Sequence, residues 1–314
     1  MGVVEAVLAQ LRLAGLTVDF TGLKQKVCGP ARNARARIRA DHHLPLTEVF
    51  MLIVQLSDPH IDLHRPEKSG ALRRAIDHLL SLPMRPDAVL VSGDCTEHGW
   101  TDEYALLREL LRPLTVPTYL IPGNHDDREE FLKAFGPQGT QGLPGFAQFV
   151  VELGPVRVLA LDTHCPGANG GQLDAPRLGW LAERLGEAPR TPTLIALHHP
   201  PLLTGLKVMD SIGLDGTQAL QELVGAHPQV EAVVAGHLHM RLVRRFAGTL
   251  VMTAPALEYA WLPDLTQPDK LIVQRQPPGY LLHHFTPDTG LTTYASAVSP
   301  GPWETLHDGQ GWAP

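Results

Sequence analysis

The chain reads as an α/β fold in which a mixed or parallel sheet carries helices and a second sheet completes a sandwich. Three features of the sequence lead there. Apolar runs of strand length alternate with helix-period segments from Met51 to Phe135, the pattern of βα units. The stretch from Leu242 to Ala297 is strand-like with no helix between its runs, as a second sheet requires. Five polar motifs each follow a strand-like run, and α/β sheets gather ligands beyond the carboxyl ends of their strands.

Taken in order, Met51–Leu56 is a buried strand and Gly70–Leu82 a helix; Ala88–Ser92 and Asp102–Leu111 repeat the unit, as do Val116–Ile121 and Arg128–Phe135. Phe149–Leu153 and Val156–Leu161 pair across Gly154-Pro155, a turn-forming dipeptide. Helices over Ala175–Leu185 and Thr217–Val224 alternate with strands at Thr193–Leu197 and Val230–Ala235. The remaining strands, Leu242–Phe246, Thr249–Thr253, Leu271–Gln276, Tyr280–Phe285 and Thr292–Ala297, are expected in the second sheet. Leu257–Gln276, with Glu258, Tyr259 and Trp261, reads as a pocket wall or as an edge loop.

The first fifty residues differ in character. Val3–Leu13 suits a short amphipathic helix, and Arg32, Arg35, Arg37 and Arg39 form a basic run without apolar periodicity. Residues 1–50 therefore read as a poorly ordered extension or a start placed too early. Met51 opens the first core strand, so residues 51–298 make the domain and 299–314 a Pro-rich tail.

Composition narrows the function. The chain has 314 residues, 44% of them apolar, with no run near the ~20 apolar residues of a membrane span. A net charge of −7 argues against nucleic-acid binding by charge, so an anionic small molecule must be held locally. Cys28, Cys95 and Cys165 are odd in number and in no CxxC arrangement, which reads as reduced thiols in a cytoplasm.

The motifs carry the chemistry. Ser57-Asp58-Pro59-His60, Ser92-Gly93-Asp94, Pro122-Gly123-Asn124-His125-Asp126, Leu197-His198-His199-Pro200 and Ala235-Gly236-His237-Leu238-His239 supply seven candidate metal ligands. These are Asp58, His60, Asp94, Asn124, His198, His237 and His239. Two pairs are spaced i and i+2, which on a strand points both side chains to one face. Imidazoles, carboxylates and one amide suit Mn, Fe or Zn better than Ca or Mg. Seven ligands are too many for one tetrahedral ion; they suit two ions sharing a carboxylate. Taken singly these motifs are weak, Gly236-His237-Leu238-His239 the least so, but all five in matching strand context are strong.

In these motifs the chain from Met51 to about Val298 resembles a calcineurin-like metallophosphoesterase, with the pattern D-x-H, G-D, G-N-H-D, H and G-H-x-H. Within that superfamily it resembles the bacterial class III cyclic nucleotide phosphodiesterases, through Ser57–Ile61, the Pro122–Asp126 loop, Leu197–Pro201 and the late Pro278-Gly279-Tyr280 with His283. The resemblance implies a four-layer αββα sandwich of two mixed sheets flanked by helices. It implies that Asp58, His60 and His239 hold one ion and Asn124, His198 and His237 a second, with Asp94 bridging. Two divalent or trivalent ions (Mn, Fe or Zn) are the implied cofactors. His125 is then the proton donor to the leaving oxygen, with Asn124, His125 and His199 as substrate contacts. Cys95 stands where the family has an apolar residue, which places a thiol beside the metals.

The activity implied is hydrolysis of 3′,5′-cyclic nucleotides by a metal-bridging hydroxide, with His125 supplying ~10²–10⁴-fold as acid. A glycerophosphodiester or phospholipid-type esterase would use the same residues, since fold does not fix substrate. A regulatory protein without turnover would be expected to lack ligands, and none of the seven is missing. The expected partner is a small phosphodiester, not nucleic acid or membrane; a homodimer is compatible with the sequence and not fixed by it.

Overall fold

The computed structural model describes residues 50–298 and Gln310. The expected N-terminal extension and C-terminal tail lie outside the described residues, apart from Phe50 and Gln310. Fifteen strands and six helices follow one another in the described chain. They are β1 (Met51–Leu56), α1 (Pro66–Leu80), β2 (Ala88–Ser92), α2 (Thr101–Leu111), β3 (Thr118–Ile121), α3 (Arg128–Phe135), β4 (Phe149–Leu153) and β5 (Val156–Ala160). Then come β6 (Gly171–Gln172), α4 (Ala175–Glu187), β7 (Thr193–Ala196), α5 (Lys207–Ser211), β8 (Leu214–Asp215), α6 (Thr217–Gly225) and β9 (Val230–Ala235). The last are β10 (Leu242–Phe246), β11 (Thr249–Thr253), β12 (Tyr259–Trp261), β13 (Val273–Arg275), β14 (Gly279–Thr286) and β15 (Gly290–Ala297).

Two mixed sheets form, in the orders β15-β14-β1-β2-β3 and β10-β11-β9-β7-β5-β4. Strand alternation explains how each sheet faces two layers. Met51 and Ile53 of β1, with Leu90 of β2, join Val158, Leu194, Ala232 and Val234 in the core between the sheets. Val54, Leu56, Val89 and Val91 point the other way, onto Leu72, Ile76, Tyr104 and Leu107 of α1 and α2. The second sheet does the same, with Leu159, Ile195, Val233 and Val251 against Trp180, Leu181, Leu185, Leu220 and Val224 of α4 and α6. A strand buried on both faces has no place for polar alternation, hence the unbroken apolar runs. The result is the expected αββα sandwich.

One expectation fails in its topology. The late strands do not make the second sheet by themselves. β10 and β11 extend the sheet of β9, whereas β14 and β15 return to the first sheet, β14 running antiparallel to β1 from Met51↔Phe285 to Gln55↔Leu281. Every residue of β1 is buried, so its free edge needs a strand, and β14 supplies it. The run expected at Leu271–Gln276 belongs to neither sheet: β13 pairs with β12 in a separate hairpin. Between the sheets, Gln55 donates to Ser92 Oγ (2.8 Å) and the Ala235 carbonyl (3.0 Å), and its Oε1 lies 3.0 Å from His283 Nε2. His283 Nδ1 lies 2.9 Å from Thr293 Oγ1, and burial pushes this imidazole down to about 4. This neutral polar floor lies directly under the motif loops, because Ser92 and Ala235 each precede one of them.

Candidate metal centre

The motif loops after β1, β2, β3, β7 and β9 converge on one edge of the sandwich. The loop after β1 zips onto that after β2: Asp58 N–H donates to the Gly93 carbonyl (3.2 Å) and His60 N–H to the Asp94 carbonyl (2.9 Å). Asp126 clamps the loops after β2 and β3 together. Its carboxylate accepts from the N–H groups of Cys95, Thr96 and Gly123 (3.0, 3.1 and 2.8 Å) and from the Tyr104 hydroxyl (3.0 Å). The sequence reading passed over Asp126 as a turn residue; its signal was the last letter of G-N-H-D.

The i, i+2 pairs do not sit on strands as expected. Asp58, His60, Asp94, His237 and His239 all follow their strands and have positive φ (51°, 45°, 46°, 67° and 53°). They are five of the seven non-glycine residues with positive φ among those described. Backbone strain is therefore concentrated where the candidate ligands are, which is common at functional sites. The side chains converge because left-handed residues coil the loop back on itself, not because a strand pleats. The motif glycines answer to close approach. A Cβ on Gly93 would lie 2.1 Å from His198 Nδ1, on Gly123 2.1 Å from Asp94 Oδ1, and on Gly236 2.3 Å from Ser57 Oγ.

The candidate ligands fall into two groups. Asp58, His60, Asp94 and His239 bring ligand atoms within 4.8 Å of one another, and so do His198, His199 and His237. Asp94 joins the two: its Oδ2 is 3.5 Å from His60 Nε2 and its Oδ1 3.3 Å from His198 Nε2. Asn124 Oδ1 lies 3.2 Å from His198 Nε2. His60 Nε2 and His239 Nε2 face each other at 3.1 Å, and Asp58 Oδ1 is 3.5 Å from the latter. Asp58 Oδ2 and His239 Nδ1 are buried with no protein partner. Buried polar atoms left without a partner are costly unless a cation meets them. The donor set therefore fits transition-type divalent ions.

The electrostatics divide these ligands. Burial raises Asp58 to about 6, with Asp94 adding to it. Burial would raise Asp94 as well, but His198, His60 and His125 outweigh it and hold the carboxyl well below the usual range. Burial would lower His198, yet Asp94 and Asp58 carry it up to about 9. His237 falls to about 3 and His239 well below the ordinary histidine value, each through burial and then a neighbouring imidazole. His237 and His239 are thus neutral imidazoles and Asp94 an ionised carboxylate, the forms that coordinate metal. The neighbouring carboxylates instead raise His198 and His60 against their burial, so these two must give up a proton to an ion.

His125 is exposed, its N–H donating to Asp94 Oδ1 (2.9 Å) and its Nδ1 standing 3.0 Å from the Glu97 carbonyl. A carbonyl only accepts, so Nδ1 carries hydrogen and Nε2 is left for proton transfer. His199 departs from the expectation of a substrate contact. It is fully buried, with Nδ1 2.8 Å from Thr163 Oγ1 and Nε2 3.2 Å from the Asn169 carbonyl. Both nitrogens are spent, and the ring packs against both His198 and His237 (4.8 and 4.6 Å), which also meet each other (5.2 Å). Cys95, next to Asp94 in the chain, is fully buried, its thiol is pushed well up by burial and then by Asp126, and it bonds to the Ile121 carbonyl. It packs the core and is not poised for oxidation. Of the segment left open as wall or edge loop, Tyr259 and Trp261 lie beside the centre, 4.6 and 5.2 Å from the His239 ring, whereas Leu262, Leu265, Ile272 and Val273 are exposed. A further group, Asp62, His98 and Glu103, is accounted for by helix capping, because Glu103 accepts from the N–H groups of His98 (2.9 Å) and Trp100 (3.4 Å).

A fold with this sandwich and this histidine–aspartate constellation defines a metallophosphoesterase. The family model described as calcineurin-like phosphoesterase matches residues 51–241, and the chain belongs to that family. The chain is 34% identical over 260 residues to a probable glycerophosphodiester phosphodiesterase of Arcobacter nitrofigilis, covering 79% of this chain and 93% of that one. It is 30% identical over 274 residues to a 3′,5′-cyclic adenosine monophosphate phosphodiesterase of Pseudomonas aeruginosa (85% and 97% covered). It is 32% identical over 285 residues to a cAMP/cGMP dual specificity phosphodiesterase of Mycobacterium tuberculosis (84% and 87%). In fold it is similar to a dimetal phosphatase from Danio rerio, with a TM-score of 0.61 at 16% identity, over 80% of this chain and all of that one. The chain is thus a phosphodiester hydrolase of the metallophosphoesterase family, and among the described residues no helix is long and apolar enough to cross a membrane.

Proposed function

We propose that the protein is a two-ion phosphodiesterase whose substrate is a 3′,5′-cyclic nucleotide. The observation that carries the two-ion reading is Asp94, whose two oxygens each face a different ligand group, at 3.5 Å from His60 and 3.3 Å from His198. Asp58, His60, His239 and Asp94 would hold one ion; Asn124, His198, His237 and Asp94 the other. When bound, such a pair supplies an acidified water and charge neutralisation for the phosphate. The chain's own part is to hold the phosphate edge open and to move a proton. His125 sits at the exposed rim with Nε2 free, placed to protonate the departing ribose oxygen, a poor leaving group at neutral pH.

The aromatic rim supports a nucleotide. Trp100 is 47% exposed and stacks on His98 (4.3 Å, 15° between planes), one residue from Glu97, while Tyr259 and Trp261 flank His239. A base has a face to stack there; glycerol has none. The glycerophosphodiester reading keeps its own support in the 34% identical relative of that name. A panel of cyclic AMP, cyclic GMP, glycerophosphodiesters and an aryl phosphodiester, with Mn, Fe and Zn supplied separately, decides between them. Cyclic nucleotides should give the highest kcat/KM. Preferential turnover of glycerophosphodiesters would overturn the substrate assignment, and absence of hydrolysis with every metal would overturn the activity.

A further inference from the structure

Lys68 is 2% exposed and lies in the first turn of α1, where a buried cation is unfavourable both by desolvation and by the helix dipole. Something must compensate it. Its Nζ lies 2.6 Å from Glu97 Oε2, and that same oxygen lies 3.1 Å from His60 Nδ1, the ring nitrogen facing away from Asp94 and His239. Nδ1 has no other protein partner, so the Glu97 carboxylate is the group that stands behind the His60 ring. Burial would raise the Glu97 carboxyl, but His60 and Lys68 outweigh it and hold Glu97 well below its usual range. The main chain of Glu97 is fixed as well. Its N–H donates to the Ile61 carbonyl (2.9 Å), and its carbonyl receives His125 Nδ1 (3.0 Å). His60 and His125 themselves meet edge to face, with ring centroids 4.7 Å apart.

We propose that Glu97, held by Lys68, is the positioning residue of the first-ion half: its carboxylate sets the orientation and basicity of His60, while its carbonyl sets the tautomer of His125. The inference rests on the two-ion reading and assigns to Glu97 and Lys68 no contact with substrate. A carboxylate behind a ligating imidazole typically strengthens metal binding 10–100-fold. On the other side of Asp94 the corresponding contacts are neutral: the Ser92 carbonyl behind His198 (2.9 Å) and the Ile212 carbonyl behind His237 (3.1 Å). Removing the charge at Glu97 should therefore weaken one ion and spare the other.

The test titrates metal-free full-length protein with Mn(II) calorimetrically, for the native chain, Glu97→Gln, Glu97→Asp and Lys68→Gln. The expected result is a drop of about 10–100-fold in the affinity of one ion in Glu97→Gln, with the second within about twofold. Lys68→Gln should show a smaller loss on the same ion, and Glu97→Asp should recover part of it. In the hydrolysis assay, Glu97→Gln should slow aryl and ribose phosphodiesters by the same factor, because the carbonyl that holds His125 is kept. Unchanged affinity for both ions, or equal weakening of both, would overturn the proposal. A native chain that binds one ion only would instead contradict the two-ion reading, and the Glu97 variants would still be read against that ion. Should Glu97→Gln fold poorly, Glu97→Asp and Lys68→Gln carry the same one-ion signature.

Discussion

The two halves of the centre are built from different materials. Asp58, His60 and His239 sit in a charged setting, with a second carboxylate at Glu97 and a buried ammonium at Lys68 behind them. The half made by His198 and His237 is imidazole-rich and backed by neutral groups, main-chain carbonyls and His199, whose nitrogens are both spent on Thr163 and Asn169. A charged setting tunes a ligand through its electrostatics; a carbonyl setting holds it through loop placement. The first half should therefore respond to charge substitutions and the second to steric ones. Asp94 alone belongs to both.

Asp94→Ala is the most damaging change expected, because one side chain then fails both halves. Metal analysis should find little bound ion, with hydrolysis nearly abolished; two ions per chain with normal turnover would refute the shared carboxylate. His125→Ala should separate chemistry from binding. Both ions should remain, while ribose or alkyl phosphodiesters slow by ~10²-fold or more and an aryl ester suffers much less. Equal losses for good and poor leaving groups would make His125 a phosphate-positioning residue, and His199, buried and fully bonded, is not available as a replacement acid.

Gly93→Ala probes the imidazole-rich half sterically. The new Cβ would stand 2.1 Å from His198 Nδ1, at a φ of +96° that already disfavours alanine. Displacing that ring by ~1 Å should cost on the order of 10²-fold in turnover and weaken chiefly the ion opposite Lys68. Selective loss of the other ion would break the comparison.

Much of this was legible in the sequence, and the reasons differ by level. The βα alternation and the five motifs gave the sandwich and the candidate ligands because strand ends and loop chemistry are local. The sheet membership of β14 and β15 was not legible, since pairing with β1 is a long-range choice made by the open edge of a buried strand. Glu97 and Lys68 were missed for a similar reason. They are 29 residues apart, and although Glu97 follows closely on Asp94, Lys68 lies outside every motif. Asp126 was visible only as a turn residue, because its five acceptor contacts come from three separate segments.

The smallest effect expected concerns the floor shared by both halves. His283 is neutral in the fold, its value pushed from 6.5 down to about 4 by burial. Between those pH values the unfolded chain binds the extra proton and the folded chain does not, so stability falls as pH drops through that window. The loss should reach about 3 kcal/mol at pH 4, at ~1.4 kcal/mol per unit. In metal-saturated protein, His283→Gln should flatten that part of the stability–pH curve relative to the native chain. An identical slope in both would show that His283 is not the group responsible.

The central claim is that two ions share Asp94. The most direct measurement is diffraction at the manganese absorption edge from crystals of the manganese-loaded chain. The account predicts two anomalous peaks ~3.5–4 Å apart, one beside Asp58, His60 and His239, the other beside Asn124, His198 and His237, with one Asp94 oxygen at each. A single peak, or two that do not share the Asp94 carboxylate, would contradict it.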